Sequence, residues 1–155
     1  MSSYDVTDSA VIDATPERVF ALLVDEYAGR THWWTQVESK PVGDIAFGEV
    51  GAVCTVTVRN HGTAHFSWKT TEIVENRFFR FEYLEGDLVG YGDLKLDPQG
   101  DKTRIEYRWR VKTRGKANIL GPLLNIRKRH SQVIRAGFDA LNAQVSRDGE
   151  SAGRD

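Results

Sequence analysis

The feature that most constrains this chain is a change of hydrophobic period near residue 115. Ahead of it runs a series of alternating segments, 52–59, 65–74, 77–85, 88–96 and 103–113, separated by the short turn signals Glu75-Asn76, Gly86-Asp87 and Asp97-Pro-Gln-Gly-Asp. Turns this short suit antiparallel hairpins. Behind it, from about residue 117 to 145, the period is helical. Ile119, Leu123, Ile126, Val133, Ile134, Leu141 and Val145 share one stripe at about 100° per residue. Gly121-Pro122 starts or kinks this helix. From Pro122 onward it spans about 36 Å, enough to lie across a whole sheet.

The last alternating segment is the clearest. Ile105, Tyr107, Trp109 and Val111 point one way, and Arg104, Glu106, Arg108, Arg110 and Lys112 the other. This is a sheet with one apolar and one wet face. At the other end of the chain, residues 4–14 read as a strand. A helix follows, with Thr15 as N-cap, Pro16 at its first position, Glu17 in its first turn, and Val19, Phe20, Leu22 and Leu23 on its buried side. A second short helical or turn segment covers 25–34, and Gly43, Gly48 and Gly51 punctuate a turn-rich stretch. The order is strand, two short helices, a run of antiparallel strands and one long helix. That is an α+β arrangement with its elements segregated by type. One helix does not fill the concave face of six or seven curved strands, and an apolar hollow left between them is where small apolar ligands bind.

At 155 residues with 40% hydrophobic content, the chain suits one ordinary domain, 1–146, followed by a disordered polar tail, 147–155. No stretch of 18 apolar residues is present, and MSSYDVTDSA has neither the basic start nor the apolar run of a secretory signal. Cys54 is the single cysteine, so there is no internal disulfide and no cysteine metal site. A cytoplasmic protein is expected. The net charge of −1 hides an asymmetry: residues 1–107 carry 10 basic and 18 acidic side chains, whereas 108–138 carry nine basic and no acidic ones. Such a segment is either a solvated face or a site of transient contact with an anionic membrane or protein, the basic 108–135 face. No aromatic residue interleaves Arg127-Lys128-Arg129, so nucleic acid is not an expected partner.

Three stretches and the final helix carry a resemblance. Val11-Ile-Asp-Ala-Thr-Pro-Glu-Arg-Val-Phe-Ala-Leu-Leu, then Tyr27 with Trp33-Trp34, then Trp68-Lys-Thr-Thr-Glu-Ile-Val-Glu, resemble the START-like (SRPBCC, helix-grip) superfamily, in particular its polyketide cyclase/dehydrase and lipid-transport branch. The resemblance covers about residues 4–146. It implies a β-α-α-β(6)-α fold, a curved antiparallel sheet wrapped around a long C-terminal helix with an internal hydrophobic cavity. It also implies that Trp33 and Trp34 sit at the cavity mouth. It implies no particular reaction, because the superfamily spans carriers, receptors and cyclases.

His130 falls within about 40° of the centre of the apolar helix stripe. It is a structural histidine bonded to a neighbour, a cavity histidine that orients a ligand carbonyl or hydroxyl, or a general acid/base. Ile126 and Ile134 share that stripe. Gly137 does too, marking either a close approach to the sheet or bulk withheld to keep the cavity open. Phe79, Phe81, Tyr83, Tyr107 and Trp109 are the expected inward aromatics, with the tyrosine hydroxyls as handles for a ligand's polar end. Gly90 and Gly92 read as inward, leaving a hollow and turning Tyr91 outward. Trp34 caps the cavity, packs as core or touches a membrane. His61 and His65, four apart on an extended segment, lack a common facing, and no metal or cofactor is expected. There is no GxSxG elbow, phosphate loop or GxGxxG. Cys54 reads as a buried small hydrophobe.

Two functions compete. One is binding or transport of a hydrophobic small molecule (lipid, polyketide or quinone-like). The other is a polyketide cyclase/aromatase or dehydratase with a cavity His or Tyr as acid/base. Against the enzyme stands the want of an inward carboxylate, since Glu82 and Glu106 fall on the polar sides of their strands. An accessory domain with a collapsed cavity is a third, lesser reading.

Overall fold

The computed structural model describes residues 2–115 and 125–154. Seven strands form one antiparallel sheet: β1 (Ser3–Ile12), β2 (Val37–Val42), β3 (Val53–Arg59), β4 (Thr63–Val74), β5 (Phe78–Tyr83), β6 (Leu88–Gln99) and β7 (Lys102–Thr113). Their order is β1-β7-β6-β5-β4-β3-β2, a meander from β2 to β7 with β1 returned to pair with β7. Two helices complete the described fold, α1 (Pro16–Tyr27) and the long α2 (Ile126–Arg154). This is the α+β helix-grip fold.

Each boundary has a local cause. Thr15 is extended (φ −66°, ψ 156°), and its hydroxyl accepts from the Arg18 N–H, with Pro16 opening α1. Asn76 takes a positive φ of 63° between β4 and β5, where a tight turn needs it. The β4–β5 register slips between Thr70 and Glu72, a bulge that bends the sheet toward its concave side.

Two expectations about helices need correction. No second helix lies between β1 and β2: residues 28–36 are turns, bends and irregular chain, because the Glu26 carboxylate gathers donors from the chain beyond α1 and fixes it in that path. The polar composition of 147–155 predicts a disordered tail, yet α2 continues to Arg154. Side chains that reach along or beyond the helix account for part of this. Asp148 pairs with Arg18 of α1 and accepts from Gln144 one turn back, while Arg147 donates to Gln144. The Gly121-Pro122 start and the stripe residues Ile119 and Leu123 lie outside the described residues.

Helix α2 runs along β1 and is tied to it by polar contacts. Asp8 lies in the inward phase of β1 with Val6 and Ile12, and its carboxylate accepts from Ser131 Oγ (2.8 Å) and Arg135 Nε (3.1 Å). Asn142 accepts from the Asp13 N–H and donates to the Val11 carbonyl. The helix turns Val133, Ile134, Phe138 and Leu141 to the interior.

The basic segment is not free as a whole. Arg108 forms a two-pronged pair with Asp5, Arg110 pairs with Asp93, and Arg135 with Asp8. Part of the acidic surplus of the first 107 residues is thus spent on the basic surplus that follows.

The interior is unevenly filled. On the α1 side, Phe20 stacks on Phe79 (4.6 Å between ring centroids), Trp68 on Phe81 (4.5 Å), and Phe47, from the β2–β3 connection, packs against Tyr27, Phe79 and Phe81. That half of the concave face is solid.

Candidate functional site

The other half is hollow. A cavity of about 540 Å³ lies between the sheet and the first two turns of α2, within the roughly 300–1,000 Å³ range of small-molecule sites. Its walls are Val37, Val56, Val58, Phe66 and Trp68 from β2–β4, Tyr83, Leu88, Tyr107 and Trp109 from β5–β7, and Ile126, His130, Val133 and Ile134 from α2, with Tyr27 and Trp34 at one end. The exposed lining residues His61, Gly62, Thr63, Ala64 and Asp87 mark the mouth, with Arg129 and Asn60 beside them. Asn60 ties the β3–β4 turn to α2, donating to the Arg129 carbonyl (3.3 Å) and to Gln132 Oε1 (3.4 Å).

The wall carries few polar groups, and all of them are neutral at physiological pH. His130 stacks flat on Trp109, with centroids 3.9 Å apart and planes 9° apart, and stands 5.7 Å from the Tyr107 ring. Its Nδ1 is buried without a hydrogen-bond partner. Burial pushes the imidazole pKa down to about 3, because nothing nearby replaces the water a cation would lose. Without an acceptor beside Nδ1, the neutral ring carries its proton on Nε2 and acts as a donor there. Trp109 Nε1 donates to the Tyr83 hydroxyl at 3.0 Å, and Tyr107 lies buried in the same wall. Burial raises the Tyr83 phenol to about 12 and lifts the Tyr107 phenol well above its ordinary value. With its oxygen already accepting, Tyr83 keeps its own proton to give.

Of the residues singled out by sequence, His130, Tyr83, Tyr107, Trp109, Trp34, Ile126 and Ile134 share this one cavity. The others do not line it. Phe79 and Phe81 point inward but are fully buried in the aromatic stack of the solid half. Gly92 faces inward as read, yet the hollow above it is occupied: a Cβ there would lie 2.1 Å from Tyr107 Oη. Gly90, at φ +140°, lets strands β6 and β7 meet where a Cβ would lie 2.2 Å from the Arg110 carbonyl oxygen. Gly137 makes room for Trp34, whose ring would lie 2.5 Å from a Cβ on the helix. Trp34 itself sits at the inner end of the cavity and not at its mouth. Its main-chain N–H donates to Glu26 (2.8 Å) and its indole N–H to the Val133 carbonyl (3.2 Å).

Two groups of residues escape the sequence reading. Val56, Val58, Phe66 and Trp68 line the cavity from β3 and β4, and the alternation of β3 would have put Val56 and Val58 on the face of Cys54. Glu26 is a buried carboxylate that accepts from Thr31 Oγ1, Trp33 N and Trp34 N. Its signal is a charged residue on the stripe Val19, Leu22, Leu23.

A curved sheet gripping a long helix around an apolar chamber defines the helix-grip class. Polyketide cyclase / dehydrase and lipid transport is the family whose pattern matches residues 3–146. The chain belongs to that family, within the START-like superfamily. Among solved structures it is similar to the Zhui aromatase/cyclase from Streptomyces sp. R1128 (12% identity, TM-score 0.79, covering 98% of this chain and 99% of that one). It is also similar to a START superfamily protein from Mycobacterium smegmatis (15%, 0.73, 92% and 97%). A third is norcoclaurine synthase from Thalictrum flavum, in complex with dopamine and hydroxybenzaldehyde (12%, 0.69, 94% and 88%). At these identities the likeness is one of fold. No curated protein matches the sequence.

Proposed function

We propose that this protein binds and carries a neutral, hydrophobic small molecule, and that it performs no acid–base chemistry on it. The observation that carries this reading is His130. It is the one histidine inside the cavity walls, it lies flat on Trp109 with its Nδ1 buried and without a partner, and that burial disfavours its charged form. A group with a pKa of about 3 is a poor acid at pH 7, because it has no proton to spare as imidazolium, and a weak base. The one carboxylate among the described lining residues, Asp87, stands exposed at the mouth. What the interior offers instead is donors: His130 Nε2–H and the Tyr83 hydroxyl. They suit a ligand whose polar atom is a neutral acceptor such as a ketone, quinone or ester oxygen. Burial of its apolar body supplies affinity at about 25 cal/mol per Å².

The test uses Trp34, Trp68 and Trp109, all of which border the cavity. Native mass spectrometry of the protein purified from cells should show an apolar passenger. Adding that compound back to stripped protein should change the tryptophan emission saturably. His130→Phe and Tyr83→Phe should each weaken binding by about fivefold to tenfold, the worth of one hydrogen bond. Turnover of a test polyketone that disappears in His130→Phe, while binding persists, would replace the carrier with a cyclase.

A further inference from the structure

Behind the indole of Trp34 lies a second, apolar void of about 10 Å³, bounded on its far side by Leu94, Ile105 and Leu141. Tyr27, Tyr107, Ile134 and Trp34 border both this void and the large cavity. The two spaces are therefore successive compartments of one hollow, separated by a thin layer of side chains. The void is the deeper of them. It reaches Leu141 on α2, whereas the cavity is lined from Ile126 to Ile134 and opens beyond the first turns of the helix.

Trp34 is the member of that layer borne on a loop, and the loop is fixed from several sides. Glu26 holds its main-chain N–H and the Val133 carbonyl holds its indole N–H. Trp33 lies nearly parallel to it, the two ring planes 7° apart. Gly137 leaves no space for even one methyl group between helix and indole. A large flat ring locked so firmly across a hollow acts as a partition.

Resting on the cavity reading above, we propose that Trp34 is the end wall of the binding site and sets the length of apolar ligand the protein accepts. Removing the indole would join the cavity to the void and open further space on the order of 150 Å³, room for several methylenes. Pushing the indole forward would shorten the site.

Calorimetric titration with a homologous series of straight-chain methyl ketones tests this. In the wild-type protein, Kd should fall about fourfold for each added methylene while the chain is being buried. The gain should stop where the chain end meets Trp34. In Trp34→Ala that break should move to chains several methylenes longer. In Gly137→Ala, whose new methyl group displaces the indole toward the cavity, it should move to shorter ones. Should Trp34→Ala not fold, Trp34→Leu makes the same prediction with a smaller displacement. A break at the same chain length in the wild type and in the folded variants overturns the end wall and leaves the carrier intact. A wild-type protein that binds no ketone of any length overturns the carrier reading itself.

Discussion

Replacing His130 with phenylalanine separates the cost of burying the imidazole from every other charge in the protein. The phenyl ring keeps a flat surface on Trp109, where the imidazole stacks at 3.9 Å, and it cannot titrate. In the folded wild type the imidazole pKa is about 3, whereas in the unfolded chain it returns to about 6.5. Between these values the unfolded state binds a proton that the native state refuses, so stability must decline as the pH falls. The slope is about 1.4 kcal/mol per pH unit below 6.5, flattening near the folded pKa. From pH 7 to about pH 4.5 the contribution of His130 amounts to about 2–3 kcal/mol. Urea unfolding of both proteins at the two pH values, followed by circular dichroism, measures it. Other titrating groups are common to the pair and cancel in the difference. The wild type should lose about 2–3 kcal/mol more than His130→Phe on acidification. A difference that changes by less than about 0.5 kcal/mol would mean that the ring protonates readily in place, and the argument against acid–base catalysis would lose its basis.

Three further outcomes follow from the packing. Gly92→Ala should force the Tyr107 ring off β6 and overpack the wall by about 2 kcal/mol, lowering the thermal midpoint by about 6 °C. An unchanged midpoint would show that Tyr107 moves freely. Glu26→Gln should cost about 2 kcal/mol and loosen the Trp33–Trp34 loop, because an amide presents only one acceptor to a site with three donors. Near-ultraviolet circular dichroism of the tryptophans would register the loosening. Asp8→Asn should destabilise by about 1–3 kcal/mol regardless of salt, since that carboxylate is buried between β1 and α2. Asp5→Asn should matter little, and less still at high salt, because the Asp5–Arg108 pair is exposed. Equal salt sensitivity of the two variants would contradict this assignment.

The fold was largely legible because its signals are periodic. Ile105, Tyr107, Trp109 and Val111 alternate cleanly in β7, and Val133, Ile134 and Leu141 recur at helical spacing in α2. Such repetition survives without knowledge of neighbours. The site was legible only where one element sufficed: His130 stands out because an imidazole interrupts an apolar stripe. Phe79 and Phe81 could not be told from Tyr83 in the same way. All three face inward from β5, and only the arrival of Phe47 from a distant loop decides which end of the strand is packed solid. Phe47 belongs to no period, so nothing local announces it. The end of the cavity at which Trp34 stands and the filling of the space beside the glycines were hidden for one reason. A glycine marks where bulk is forbidden, but whether the neighbour is empty space or an aromatic ring depends on Trp34, about 100 residues away, for Gly137, and on the adjacent strand for Gly92.

The uneven filling of the sheet has a consequence for how such a chain can change over generations. Phe20, Phe47, Phe79 and Phe81 hold the structure together at one end, apart from the cavity lining. The side chains that line the cavity are gathered at the other, and several of them border empty space. Exchanging a valine for a leucine there fills a hollow without dismantling a core. A protein divided in this manner can reshape its cavity by single steps, each leaving its foldability nearly untouched.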